Sequence, residues 1–194
     1  MKLVFATHNK NKFAEIKAML PSNIELLSLA DIGCFEDIEE TAETIEGNAI
    51  LKAEYVHKKY NINCFADDTG LEVKALNNEP GVFSARYAGE PSDSKANIEK
   101  LLSNLIGKDD QSARFKTAIA LSTDHLEKLF VGICEGEIIK ELRGASGFGY
   151  DPVFRPNGFD ETFAEMTLAQ KNEIGHRGKA MRELVSFLSK EPIF

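Results

Sequence analysis

Two carboxylates stand side by side in Cys64-Phe65-Ala66-Asp67-Asp68-Thr69-Gly70, where an apolar run ends. Neighbouring side chains of a strand point to opposite faces of its sheet. On a half-buried sheet, Asp67 and Asp68 cannot both face water, and one must therefore turn into the protein. A carboxylate there is costly without a partner. A metal ion, a lysine or a set of backbone N–H donors resolves the conflict, and the residues alone leave open which aspartate faces inward. Gly70 then permits a turn that other residues resist. A second polar stretch, Thr7-His8-Asn9-Lys10-Asn11-Lys12, separates an apolar run from a segment of helical spacing. Loop N–H groups and a helix N-terminus hold anions. Lys12 in the first helical turn opposes the helix dipole but adds charge for an anionic ligand. A third stretch, Gly144-Ala145-Ser146-Gly147-Phe148-Gly149-Tyr150-Asp151-Pro152, sets three glycines around two aromatics. That is a poor core element and a good ligand loop. Lys171, His176 and Arg177 fall at expected helix ends, where phosphate groups are readily bound.

The elements that must position these groups follow from periodicity. Residues 2–7 read as a buried strand and 24–29 as a second one. Phe13, Ile16, Met19 and Leu20 recur at helical spacing until Pro21 stops the helix. Residues 30–44 are acidic and irregular, a solvated face unless one of their carboxylates meets Asp68. Residues 45–60 form a helix with Ile45, Ala49, Ala53 and Val56 on one stripe. Asn48 and Lys52, four apart, share another face, so Lys52 either meets water or looks into a cleft. Residues 63–66 are a strand leading to the acidic pair, and 71–73 continue as a short extended piece. Residues 76–91 are rich in turn formers. A helix over 93–106 buries Ile98, Leu101, Leu102 and Leu105. Residues 114–123 and 126–139 form an antiparallel hairpin about Asp124-His125, with Phe115, Thr117, Ile119 and Leu121 alternating against Lys116, Ala118 and Ala120. Thr167 caps a short helix carrying Lys171, Gly175 interrupts it, and the last helix turns Met181, Leu184, Val185 and Leu188 inward.

A length of 194 residues suits one domain, with two lobes allowed. A net charge of −8 argues against a protein that coats nucleic acid, which needs a broad basic surface. It leaves room for a small anionic ligand met by a few cations. No apolar run is long enough to span a bilayer, and the start reads as a first strand rather than a signal peptide. Cys34, Cys64 and Cys134 are odd in number and set in apolar surroundings, which fits buried free thiols in a reducing cytoplasm.

Taken in order, the motifs resemble the inosine triphosphate pyrophosphatase family, enzymes that hydrolyse non-canonical purine nucleoside triphosphates. The resemblance covers nearly the whole chain. It rests on Thr7-x-Asn9-x-x-Lys12, Glu39-Glu40-Thr41, Glu46-Gly47-Asn48-Ala49 with Lys52-Ala53, Ala66-Asp67-Asp68-Thr69-Gly70-Leu71, Pro80-Gly81 with Ser84-Ala85-Arg86-Tyr87, Gly147-Phe148-Gly149-Tyr150-Asp151-Pro152, Lys171, and Gly175-His176-Arg177. It implies an α/β fold, an elongated mixed β-sheet with flanking helices. It also implies a single domain over residues 1–194, whose two lobes hold a nucleotide-binding cleft between them, and a homodimer. The implied reaction converts ITP, dITP or XTP to the monophosphate and pyrophosphate with Mg²⁺. By motif matching, Glu40 and Asp68 take the metal positions, and Asp68 the general-base position. The 7–12 loop and Lys171 fall on the phosphate side. Thr69, Phe148, Gly149, Tyr150, Asp151, His176 and Arg177 fall in substrate-binding positions.

Two departures from the family pattern stand out. His8 and Asn11 replace glycines common in relatives, and both tolerate left-handed backbone better than most residues. Gly175 stands where relatives often carry serine, which removes a hydroxyl beside His176. The chemistry suits the residue types. Mg²⁺ takes carboxylate, water and phosphate oxygen, and a carboxylate near it can accept a proton from water. Phe148 offers a flat face to a purine. Two other readings use the same residues: a nucleotide sensor without catalysis, and a pyrophosphatase of a related fold acting on modified pyrimidine nucleotides. Retention of Glu40, Asp67 and Asp68 speaks against the sensor.

Overall fold

The computed structural model describes residues 2–190. Among them, seven strands hydrogen-bond in the order β2-β1-β3-β5-β6-β7, with β4 paired to β3. The strands are β1 (Lys2–Phe5), β2 (Glu25–Leu27), β3 (Cys64–Val73), β4 (Glu79–Pro80), β5 (Ser112–Thr123), β6 (Leu126–Ile138) and β7 (Phe154–Pro156). The helices are α1 (Lys10–Met19), α2 (Ile45–Tyr60), α3 (Ser94–Asn104), α4 (Leu168–Ile174) and α5 (His176–Lys190). The sheet is mixed. β1 runs parallel to β2 and to β3, whereas β4 and β7 join β3 and β6 antiparallel. No described helix is long and apolar enough to cross a membrane.

By contact the chain divides into two units. The first takes residues 2–68, 117–132 and 177–190. Its core joins Leu3 and Phe5 of β1, Ile16 of α1, Phe65 of β3, Ile119 and Leu121 of β5, Phe130 of β6, and Ala180, Met181 and Leu184 of α5. Phe5 and Phe65 stack at 4.7 Å between ring centres. Full burial of each large side chain contributes about 1.5–3 kcal/mol. The second unit takes residues 69–116 and 133–176. Its core joins Leu71 and Val73 of β3, Ile98 and Leu101 of α3, Phe115 of β5, and Phe154, Phe163 and Met166.

α2 spans the expected residues, started by the Thr44 side chain on the Gly47 N–H and ended by Asn61 in left-handed backbone. Four expectations change. β3 does not stop at the acidic pair: it runs unbroken from Cys64 to Val73, and Gly70 makes no turn. Both Asp67 and Asp68 are buried, 1% and 7% exposed, because both faces of β3 are covered here: Lys12 of α1 and Arg177 of α5 lie against Asp67, and Lys52 of α2 against Asp68. β5 is likewise buried at every residue from Thr117 to Thr123 instead of alternating. Neither His8 nor Asn11 uses left-handed backbone: Asn11 lies in the first turn of α1, and the described non-glycine residues of positive φ are Asn61, Asn77 and Asn78. Adjacent β5 and β6 are joined by the two-residue turn at Asp124-His125, the geometry of an antiparallel hairpin. All three cysteines are buried free thiols.

Candidate active site

The two aspartates of β3 point to opposite faces, and each meets cations of the first unit. Lys12 Nζ lies 3.1 Å from both Asp67 oxygens, and Arg177 Nε lies 3.5 Å from Oδ2. A second nitrogen of Arg177 binds the buried carboxylate of Glu15 on α1. Burial alone would push the Asp67 carboxyl up, but Lys12, Arg177 and Lys52 outweigh it and hold its pKa at about 2. The same burial pulls the Lys12 ammonium below its usual value, with Asp67 opposing. At 3.1 Å from both oxygens, the Lys12 ammonium is the nearest cation to Asp67.

On the other face, Lys52 of α2 places its ammonium 3.7 Å from Asp68 Oδ1 and donates to Glu40 Oε1. One residue of the irregular acidic stretch does meet Asp68 through this shared lysine. It is Glu40, while Glu39 stays exposed. Burial pulls Lys52 down, but Asp68, Glu40 and Asp67 more than offset it and leave its pKa raised. Burial lifts the Asp68 carboxyl above its ordinary value; Lys52 and Lys12 oppose that, and Glu40 and Asp67 add to it.

The 7–12 loop opens α1. Asn9 caps the helix, its Oδ1 accepting from the N–H groups of Asn11 and Lys12, and Thr7 Oγ1 accepts from the Asn9 N–H. His8 is exposed, and its Nε2 lies 3.0 Å from the Glu36 carbonyl. Lys10 and Asn11 are exposed, whereas Lys12 turns inward to Asp67.

The second unit gathers the glycine-rich loop and Lys171. Asp151 Oδ2 accepts from the Phe148 N–H at 2.8 Å and from Lys171 Nζ at 2.6 Å. Lys171 also lies 4.9 Å from the centre of the Phe148 ring, within cation–π range. α4 delivers that lysine, and its start is fixed by a capping box between Thr167 and Gln170. Gly147 is required twice over: its φ is +78°, and an added Cβ would stand 2.1 Å from Asp151 Oδ2. Gly149 follows at φ +62°. Tyr150 is buried and donates to the Ser84 carbonyl at 2.8 Å. His176 is buried with its ring 4.6 Å from that of Phe115, nearly parallel. At Gly175 a side chain would crowd the Lys171 carbonyl, 2.5 Å from an added Cβ. Thr69 follows Asp68 on β3 and is partly exposed.

No group of three or more His, Cys, Asp and Glu side chains is placed to hold a metal among the described residues. Glu40 and Asp68 are a pair of carboxylates converging on one cation. Such a donor set fits Mg²⁺, which is held by one or two carboxylates with water and substrate phosphate, and does not fit a closed zinc site. Three members of these networks, Asp67, Lys52 and Glu15, stand outside the site positions that the motifs indicate. Asp67 shares its motif with Asp68, to which the family pattern gives the metal and base positions. Lys52 carried a signal, its spacing of four from Asn48 on α2. Glu15 carried none, being one acidic residue in an ordinary amphipathic helix.

A family model described as the Ham1 family matches residues 3–187. A dITP/XTP pyrophosphatase of Christiangramia forsetii is 62% identical, over 98% of this chain and 100% of that protein. One from Bacillus subtilis is 49% identical, over 95% of this chain and 96% of that one. Among solved structures, the Ham1 protein of Staphylococcus aureus superposes with a TM-score of 0.90 at 42% identity, covering 97% of this chain and 98% of that one. A nucleoside-triphosphatase / dITP/XTP pyrophosphatase from Mycobacterium abscessus gives 0.79 at 40% identity, covering 95% and 99%. With the model matched along nearly its whole length and relatives this similar from end to end, the chain belongs to the Ham1 family.

Proposed function

We propose that this protein hydrolyses non-canonical purine nucleoside triphosphates, dITP, XTP and ITP, to the nucleoside monophosphate and pyrophosphate. This removes them from the nucleotide pool. The observation that carries the reading is the end-to-end identity of 62% with a protein named dITP/XTP pyrophosphatase. The convergence of Glu40 and Asp68 on Lys52 supports it, since a carboxylate pair of this kind suits a Mg²⁺–triphosphate complex.

Glu40 and Asp68 would hold Mg²⁺. Bound there, the ion supplies Lewis-acid polarisation of phosphoryl oxygens. Asp68 orients the attacking water and accepts its proton, a role worth roughly a hundred- to ten-thousandfold. Its raised pKa suits a proton acceptor. Lys12, Lys171 and Arg177 balance charge on the departing pyrophosphate. Thr7, His8, Asn9, Lys10 and Asn11 are assigned to the phosphates. Thr69, Phe148, Gly149, Tyr150, Asp151, His176 and Arg177 are assigned to the nucleoside, with Phe148 as the stacking face. The reading extends to a homodimer working in the cytoplasm.

Phosphorus NMR of the products tests the reaction. Pyrophosphate and dIMP from dITP are expected; orthophosphate with a diphosphate first would exclude α–β cleavage. Hypoxanthine and xanthine carry a 6-oxo acceptor where adenine has a 6-amino donor. A site that donates there leaves its own donor unpaired against adenine, which discriminates strongly. ATP turnover within about tenfold of dITP, ~1.4 kcal/mol in transition-state binding, would sink the donor model. Asp68→Asn is expected to abolish turnover in a protein that still folds, and near-wild-type rates would remove Asp68 from the chemistry.

A further inference from the structure

Glu40 reaches Lys52 from a stretch with little regular structure of its own, residues 33–44. Something must hold that stretch still if its carboxylate is to bind a metal in a fixed place. The hydrogen bonds show what does. Ala42 N–H donates to Oδ1 of the buried Asn48 at 2.9 Å, and Thr44 caps α2. Glu40 meets Lys52 one turn further along the helix. Glu36 then meets the last turns of α2: its Oε1 accepts from the Tyr55 hydroxyl at 3.1 Å, Lys59 Nζ at 2.7 Å and the Tyr60 hydroxyl at 2.9 Å. Contacts at positions 36, 40 and 42 thus fall on helix positions 55–60, 52 and 48. The stretch is a strap laid antiparallel along one helix, with Glu40 between its two fastenings. The backbone carbonyl of Glu36 also faces His8 Nε2 at 3.0 Å, which ties the strap to the 7–12 loop.

We propose that Glu36 is a positioning residue: it fastens the strap to the end of α2 and so fixes Glu40, and through His8 the adjoining loop, for metal and phosphate. The proposal rests on the function proposed above. An exposed ion pair alone is worth little. Here a single oxygen collects three donors, and Lys59 lies 5.3 and 5.7 Å from the ring centres of Tyr55 and Tyr60. Those donors, Lys59 first, hold the Glu36 carboxyl well below the usual range. Loss of this fastening frees one end of the strap but leaves Asn48, Lys52 and the body of α2 as they are. Its cost should therefore fall on metal affinity more than on the chemical step.

The test compares wild type, Glu36→Ala and Glu36→Gln. Glutamine keeps an acceptor oxygen for the tyrosines and lysine; alanine keeps none. Hydrogen exchange of the metal-free, substrate-free proteins is expected to quicken at residues 37–43 in Glu36→Ala and to stay unchanged across 46–56. In steady-state assays with dITP, the Mg²⁺ concentration for half-maximal rate should rise about tenfold in Glu36→Ala, ~1.4 kcal/mol. The kcat at saturating metal should fall far less. Glu36→Gln should restore most of both. Unaltered exchange in the strap, unaltered metal dependence in an active protein, or loosening that spreads through α2 would each overturn the proposal. A wild type that releases no pyrophosphate from dITP counts against the proposed function instead, and the exchange pattern still decides the strap.

Discussion

Lys52 carries two carboxylates, Glu40 and Asp68, on a single buried ammonium. Methionine in its place keeps much of the stem's volume and removes the charge, so the carboxylates are left facing one another. Breaking a buried pair in this way costs about 3–5 kcal/mol. A divalent cation bound by the same carboxylates would recover part of that loss by binding only the folded form. Lys52→Met is therefore expected to melt well below wild type without metal, and Mg²⁺ should raise its Tm by more than it raises that of wild type. Equal Mg²⁺ shifts in the two proteins would mean the metal is held elsewhere. Much of this network was legible in the chain. Glu40, Asp68, Lys12 and Arg177 stand in motifs, and the polar face of α2 pointed to Lys52. The interior partner Glu15 was not legible, because its burial depends on Arg177, which lies 162 residues away in the chain. No local pattern encodes such a contact.

The loop from Gly144 to Pro152 behaves as an element in its own right, with Asp151 as its internal anchor. Alanine at Gly147 must adopt a φ of +78° and drive its Cβ against the Asp151 carboxylate. The backbone alone costs about 1–2 kcal/mol, and relief of the clash must displace either the Phe148 N–H or Lys171 from Asp151. Gly147→Ala should raise KM for dITP by about tenfold, ~1.4 kcal/mol, with a smaller change in kcat. An unchanged KM would take the loop out of base recognition. Elements with clear local signals, such as α2 with its apolar stripe and α4 with its Thr167 cap, could be read from the chain to within a residue or two. β3 could not. Its acidic pair and Gly70 look like a turn to a local reading; the strands on both sides keep the backbone extended, and helix residues distant in the chain cover both aspartates. The same enclosure hid the burial of both faces of β5.

For the molecule as a whole, the ionised Asp67 ties stability to acid pH. Its carboxyl titrates at about 2 in the folded chain against 3.8 for the free side chain. A group with a depressed folded pKa contributes stability that is fully present above its unfolded value and is lost as pH falls through the folded one. The window for Asp67 therefore runs from near pH 4 down to about pH 2. Asp68 acts with the opposite sign because burial raises its pKa, and several exposed carboxylates with depressed values add their own slopes. Wild-type acid unfolding alone thus mixes many groups. The difference between wild type and Asp67→Asn isolates one of them, to the extent that the other groups titrate alike in both. Asparagine keeps the shape but leaves Lys12 and Arg177 without the charge they share, so the variant should be less stable by about 3–5 kcal/mol at pH 6. As pH falls from 4 toward 2, the wild-type aspartate takes up its proton and becomes as neutral as the asparagine, so the gap should narrow. Urea midpoints of both proteins at pH 6, 4, 3 and 2.5 measure it. A gap that stays constant down to pH 2.5 would show that the advantage of Asp67 lies in shape and hydrogen bonding, and that the charge it offers Lys12 and Arg177 contributes nothing to the fold.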